Sequence, residues 1–182
     1  MHAVRCVSDG DGRGSNWAPT VQIAIIADTH LPKGGRGLPA TCVRRLRAAD
    51  LIIHAGDFTQ LTVLRELESH APVIAVHGNV DDEDVQAALP ERAVAKTGGA
   101  SIGVVHDAGP APGRLARLRR QFPREDAVIF GHSHVPVHER DSEGFQIFNP
   151  GSPTERRRAP SHTMGVLVIR GGQMRFELVV LD

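Results

Sequence analysis

Tyrosine is missing from this chain altogether, tryptophan occurs once, and there are only two cysteines. Cys6 and Cys42 cannot build a disulfide framework, and their spacing matches no zinc motif. Nothing therefore asks for an oxidising compartment. Net charge is missing too: 21 Lys and Arg stand against 21 Asp and Glu. Without a field of one sign there is no general attraction to a nucleic-acid polymer or an anionic membrane surface. No apolar run approaches the length of a membrane span. The opening MHAVRCVSDGDGRGSNWAPT lacks the apolar stretch of a signal peptide, so a cytoplasmic location is the default expectation.

Histidine, by contrast, is plentiful: ten in 182 residues. The 41% of hydrophobic residues is enough apolar material for one domain with a real core. Residues 1–20 are rich in Gly, Ser, Asp and Asn and read as a flexible N-terminal extension, with Trp17 as a docking handle. Residues 21–182 read as a single domain, with no linker and no internal repeat.

Five short apolar runs follow: VQIAIIAD (21–28), DLIIHAGD (50–57), PVIAVHGN (72–79), ASIGVVHD (100–107) and DAVIFGHSH (126–134). Each is rich in Val, Ile and Ala, is bounded by Gly, Pro or Asp, and reads as a buried strand. Helical spacing of apolar residues appears over 38–49, 59–70, 81–89 and 113–122, with Thr59 a candidate N-cap. Such alternation predicts βαβ units and a mainly parallel sheet. After Arg140 the chain turns β-rich (GFQIFNPGS, TMGVLVIR, QMRFELVVL), with Gly171-Gly172 a hairpin signal, which predicts a second sheet on the first.

All five runs end alike. They deliver Asp28-Thr29-His30, Asp57, Asn79, His106 and His132-Ser133-His134. In an open α/β sheet the C-terminal strand ends share one edge, where ligands bind. Seven carboxylate, amide and imidazole groups gathered there are costly to desolvate unless something holds them. Mixed Asp, His and Asn ligation suits Mn²⁺, with Fe²⁺, Ni²⁺ and Zn²⁺ as alternatives. Seven ligands are too many for one catalytic ion. Two ions about 3.5–4 Å apart, sharing a carboxylate, fit better and are the usual apparatus for phosphate-ester hydrolysis. The Gly before each of Asp57, Asn79 and His132 is expected to let the backbone turn sharply behind the ligand.

In this order, DTH, GD, GNVD, a strand-terminal His and GHSH resemble the calcineurin-like metallophosphoesterase superfamily. HAGD, GNVD, NPGSPTERR and the small size are most similar to its YfcE-type single-domain phosphodiesterases. The resemblance runs from about residue 22 to the end of the sequence. It implies an α/β fold, a four-layer αββα sandwich of two mixed β-sheets flanked by helices. It implies that Asp28, His30, Asp57 and His134 hold one divalent metal and that Asp57, Asn79, His106 and His132 hold the other, with Asp57 the bridge. It also implies that Asp57, Asn79 and His106 are the catalytic residues. A hydroxide between the ions would attack phosphorus in a small phosphate ester or diester. Many members have His after GN, a proton donor to the leaving group, where this chain has Val80. Close relatives often read His-Gly-His where this chain has His106-Asp107-Ala108. A phosphomonoesterase on the same site is one alternative. A non-catalytic interaction scaffold is another, since a subunit of the eukaryotic retromer coat keeps the fold with an altered metal site. A homo-oligomer is left open.

The other polar residues have plainer readings. His54 and His77, at strand positions, read either as packing residues or as partners that orient a ligand; His2, His70, His138 and His162 read as surface. Asp81 either orients a ligand or caps the helix after it. Asn149 to Ser152 form a turn, or by the resemblance border the site, where Ser152 could touch substrate. Arg156-Arg157-Arg158 is a solvated charge run from which one member could reach a phosphate. PKGGRGLP (32–39) lacks the Lys-Ser/Thr of a P-loop and reads as a mobile surface connection near the mouth of the site.

Overall fold

A computed structural model describes residues 19–181. The expected N-terminal extension lies outside these residues except for Pro19 and Thr20, and Thr20 already opens the first strand. The elements in chain order are β1 (Thr20–Ile26), α1 (Ala40–Arg47), β2 (Leu51–Ala55), α2 (Leu61–Glu68), β3 (Val73–Val76), α3 (Glu83–Ala88), β4 (Arg92–Thr97), β5 (Ala100–Val105), α4 (Arg114–Gln121), β6 (Ala127–Ile129), β7 (Val137–Arg140), β8 (Gln146–Asn149), β9 (Thr163–Arg170) and β10 (Gln173–Val180).

They form two five-stranded sheets, ordered β10-β9-β1-β2-β3 and β4-β5-β6-β8-β7. The expected mainly parallel sheet is not found. Among the described residues, β1–β2, β2–β3, β5–β6 and β6–β8 pair in parallel, and β1–β9, β9–β10, β4–β5 and β7–β8 pair antiparallel. The five apolar runs are split between the sheets. The β-rich last third divides as well: β7 and β8 complete the second sheet, while β9 and β10 return to the first.

Alternation along the strands explains the layering. Ile23 and Ile25 on β1, and Ala27 just after it, point between the sheets, where they meet Ile53, Ile102, Val104, Ile129, Phe148 and Leu167. Ala24 and Ile26 point the other way and pack with Cys42 and Leu46 of α1, Val63 and Leu67 of α2, and Val85 of α3. On the far side Val105, Val128, Phe130 and Ile147 pack against Leu118 and Phe122 of the α4 segment. Three buried clusters thus separate four layers, α, β, β and α. Runs buried on both faces read as continuous Val/Ile/Ala stretches because no strand face meets water.

Gly171 and Gly172 both have positive φ, 56° and 78°, as a two-residue hairpin turn requires. Gly98 and Gly99 (59° and 82°) do the same between β4 and β5. The Gly172 N–H donates to Gly98 O at 3.0 Å, so the two turns touch. Thr59 does not cap α2: that helix starts from Gln60 without a side-chain cap, and Thr59 is at φ 87°. Asp82, accepting the Val85 N–H at 3.0 Å, caps α3 and leaves Asp81 for other work.

Candidate metal centre

β1, β2 and β3 of one sheet and β5 and β6 of the other end at the same rim. There the structure gathers Asp28, His30 and His134 into one group and Asp57, His106 and His132 into another. Within each group the ligand atoms lie within 4.8 Å of one another. Asn79 joins the second, its Oδ1 3.1 Å from His106 Nε2 and 2.9 Å from His132 Nδ1. Asp57 Oδ2 stands between the groups, 3.3 Å from His106 Nε2 and 3.7 Å from His30 Nε2. His30 and His134 bring their Nε2 atoms to 3.1 Å, and His134 Nε2 is 3.6 Å from Asp28 Oδ1. All seven sequence-predicted residues are therefore brought together. His132 and Asn79 are the most exposed of them, while Asp28, Asp57, His106 and His134 are buried.

Imidazole tautomers decide what these groups offer. His106 Nδ1 is 2.8 Å from the Ala55 carbonyl, which can only accept, so Nδ1 carries the proton and Nε2 presents a lone pair to the site. The Glu155 carbonyl does the same for His134 Nδ1. Lone pairs facing one another across 3.1–3.7 Å repel unless a cation lies between them. Donors about 2.0–2.2 Å from a common divalent ion would sit roughly 3–3.5 Å apart, which is the spacing found. Asp28 Oδ2 is buried with no hydrogen-bond partner. A buried carboxylate oxygen left without a donor is expensive, and a cation would satisfy it. On these three observations the residues fit a pair of divalent metal ions.

Without metal the electrostatics favour the ligating state at some of these groups and oppose it at others. Burial pushes the Asp28 carboxyl up to about 7, with His106 opposing the rise and the Asp57 charge adding to it. Burial works to raise Asp57 as well, but the hydrogen bond and charge of His106, the Val80 N–H and His30 outweigh it and hold the group at about 2. Burial depresses His30, and His134 falls to about 4 from the same cause. For His106, burial is outweighed by Asp57, and its pKa rises. Neutral imidazoles and ionised carboxylates are the states that ligate metal; His30, His134 and Asp57 are shifted towards them, whereas Asp28 and His106 are shifted towards their protonated forms and would release protons on binding a cation.

Residues 21–172 match the model of the calcineurin-like phosphoesterase superfamily domain. The chain belongs to that superfamily. It is 33% identical over 159 residues to a probable metallophosphoesterase of Methanothermobacter thermautotrophicus, covering 86% of this chain and 91% of the relative. The solution structure of a Thermotoga maritima protein superimposes with a TM-score of 0.70 at 31% identity, covering 88% of this chain and 99% of that one. Vps29 from Entamoeba histolytica in complex with zinc superimposes with a TM-score of 0.67 at 22% identity, covering 88% and 99%, and shares the fold.

How this phosphoesterase builds its rim is visible in the backbone. Asp28, His30, Asp57, His132 and His134 all have left-handed φ, between 46° and 68°. Asp and His tolerate that region better than most residues, but each such position still costs on the order of 1–3 kcal/mol. The glycines matter in two ways. Gly56 turns the chain at φ 88°, as expected. Gly78 and Gly131 do not turn it; they permit contact. A Cβ on Gly78 would lie 2.0 Å from Asp57 Oδ1, and one on Gly131 would lie 2.9 Å from the Ala55 carbonyl.

Buried side chains lock the loops. The Asp81 carboxylate accepts the N–H groups of Asp57 (3.1 Å), Thr59 (2.7 Å) and Gly78 (2.6 Å), which resolves its two readings in favour of orientation. His54 is packed, as expected, face to face with Phe58 at 3.5 Å. Its Nδ1 accepts the Gly56 N–H, so Nε2–H donates to Thr29 Oγ1; no lone pair is left for a metal. Ser152 does not reach the site: its buried hydroxyl donates to the Asp28 carbonyl at 2.7 Å. Asn149 holds the carbonyl of Gly131 at 2.7 Å. Two contributors escaped sequence reasoning. Glu155 acts through its main-chain carbonyl, which no residue type announces. His162, expected at the surface, is half-buried and lines a cavity beside the site.

Proposed function

We propose that this phosphoesterase is a dinuclear, divalent-metal-dependent phosphodiesterase, with Mn²⁺ the preferred ion. The observation that carries the reading is the position of Asp57 Oδ2 between the two ligand groups, at 3.3 Å and 3.7 Å from an imidazole nitrogen of each. In the proposal Asp28, His30, Asp57 and His134 hold one ion, and Asp57, Asn79, His106 and His132 hold the other. When bound, the ion pair would bring the pKa of water from about 15.7 towards ~7 and neutralise charge on the phosphoryl oxygens. The chain does the rest. Ala55 and Glu155 fix two tautomers, and Asp81 and His54 hold the segments carrying Asp28, Asp57 and Asn79 against one another.

Val80, which is 43% exposed, stands where a proton donor to the leaving group is often found in the superfamily. General-acid help is worth roughly 10²–10⁴-fold, and its loss favours substrates whose leaving group departs unaided. Aryl phosphodiesters are therefore expected to be cleaved faster than alkyl monoesters. The test is a substrate panel with metal-loaded protein, bis(p-nitrophenyl) phosphate against a sugar phosphate, with and without Mn²⁺. Equal or faster turnover of the sugar phosphate would make the protein a monoesterase. No turnover of either by fully loaded protein would favour the interaction-scaffold reading that the Vps29 fold suggests.

A further inference from the structure

Two cavities flank the rim. The smaller, about 240 Å³, is bounded by Asn79 and His106 themselves together with Val105 and Arg92. The larger, about 640 Å³, lies between the 32–39 loop and the segment after β8, and its lining includes Arg36, Arg156 and Arg157. Both sizes are within or near the usual range for small-ligand sites.

The larger cavity is cationic. Its one carboxylate, Glu155, is already held by Lys33 at 2.6 Å, with Arg36 at 3.7 Å. Arg156 gives one N–H to the Pro160 carbonyl at 2.8 Å. Arg157 joins the cavity to the metal groups. Its Nη1 lies 3.5 Å from the His132 carbonyl, a bond at the limit of range, and the residue is exposed where it lines the cavity. Its charge acts on Asp28, His30 and His134, the three residues of the first ligand group. An arginine fork matches phosphate geometry in two parallel bonds, where a lysine offers a point charge.

We infer that the larger cavity is a second anion subsite, in which Arg157, aided by Arg156 and Arg36, binds a phosphate on the non-leaving arm of the substrate. The inference rests on the phosphodiesterase reading and narrows it. The two arms of a diester leave phosphorus in different directions, and the protein offers a cavity for each. The leaving group takes the small one beside Asn79 and His106. The retained arm, bearing its own phosphate, takes the cationic one. The substrate class is thus an asymmetric phosphodiester with a second phosphate, of the kind a nucleoside bisphosphate makes.

Two probes differ only in that group: thymidine 5′-(p-nitrophenyl phosphate) and the same ester phosphorylated at the 3′ oxygen. With Mn²⁺-loaded protein, kcat/KM is expected to be at least tenfold higher for the 3′-phosphorylated ester, in keeping with charge-assisted bonds. Arg157→Gln should bring the ratio close to one. Arg44→Ala removes one positive charge from α1 and should preserve the ratio, which separates a local subsite from general attraction. Calorimetry supplies an arm independent of turnover: thymidine 3′,5′-bisphosphate should bind at least tenfold more tightly than thymidine 5′-monophosphate, and Arg157→Gln should remove the difference. Arg36→Gln guards against a variant that fails to fold. A wild-type ratio near one in both experiments, or a ratio that survives both substitutions, overturns the subsite. If neither ester is cleaved but the bisphosphate preference holds, the subsite stands and the phosphodiesterase reading falls.

Discussion

Replacing Asp28 by Asn should stabilise the metal-free protein at alkaline pH while destroying its response to metal. Asp28 is fully buried, its Oδ2 has no partner, and burial first, then the Asp57 charge, lift its pKa from 3.8 to about 7. A group raised in the folded state contributes stability that is fully present below its unfolded pKa and is lost as pH climbs towards the folded value. The window here is therefore pH 4–7, with stability falling as pH rises. At 1.36 kcal/mol per pKa unit, the raised pKa removes about 4 kcal/mol of stability by pH 8 and about 2 kcal/mol by pH 5, relative to pH below 4. Asn keeps the acceptor for the His132 N–H, which is 3.0 Å from Oδ1, but places an amide donor where Oδ2 was. An unsatisfied buried donor costs about 1–3 kcal/mol. The net expectation is a gain of roughly 1–3 kcal/mol at pH 8, shrinking to zero or below by pH 5. His30, His54 and His134 titrate with the opposite slope, because burial lowers them, but they do so in both proteins. The difference between wild type and variant reports Asp28 together with its effect on His106, whose pKa the Asp28 charge helps to raise. Urea unfolding in excess chelator at several pH values measures it, and repetition with Mn²⁺ at about 100 times its Kd should add ~2.7 kcal/mol to the wild type alone. If Asp28→Asn is less stable than wild type at pH 8 without metal, the buried carboxylate is no liability and the argument for a cation loses its main support.

Other expectations follow from the same rim. Asp57→Asn should lose both bound metal and turnover, measured by metal analysis and aryl-diester hydrolysis; a metal-replete, active variant would end its bridging role. Asp81→Ala strips the acceptor from three backbone N–H groups and should cost at least about 3 kcal/mol in urea unfolding, with weaker metal binding in calorimetry. Gly78→Ala puts a methyl 2.0 Å from Asp57 Oδ1 and should abolish metal loading even if the fold survives. Retention of both ions there would mean the Asp57 loop can move aside.

Much of this was legible in the order of residues. The run ends DTH, GD, GN, VVH and GHSH mark strand termini and carry ligating atoms at once, so one pattern yields both sheet edge and site. The division into two sheets was not legible from the runs themselves, because a Val/Ile/Ala stretch buried on both faces looks the same in either. Strand β4 (RAVAKT) carries charge and alternates in burial, so it lacks the continuous apolar signature of the other runs, although Gly98-Gly99 repeats the turn signal at Gly171-Gly172. Thr59 has the residue type of a cap, but its N–H is taken by Asp81, a contact 22 positions away that local propensity does not register. Glu155 acts through its main-chain carbonyl, which leaves no mark in residue type.

Each ligand group draws from both sheets: Asp28 and His30 face His134, and Asp57 faces His106 and His132. An ion seated in either one would rivet the two halves of the sandwich at this end, as the touching Gly98 and Gly172 turns tie it elsewhere. Cohesion and chemistry would then be inherited as one trait. A descendant that gave up hydrolysis would still have mechanical reason to keep most of the seven donors, so an intact rim in a silent relative would record its architecture as much as its past trade.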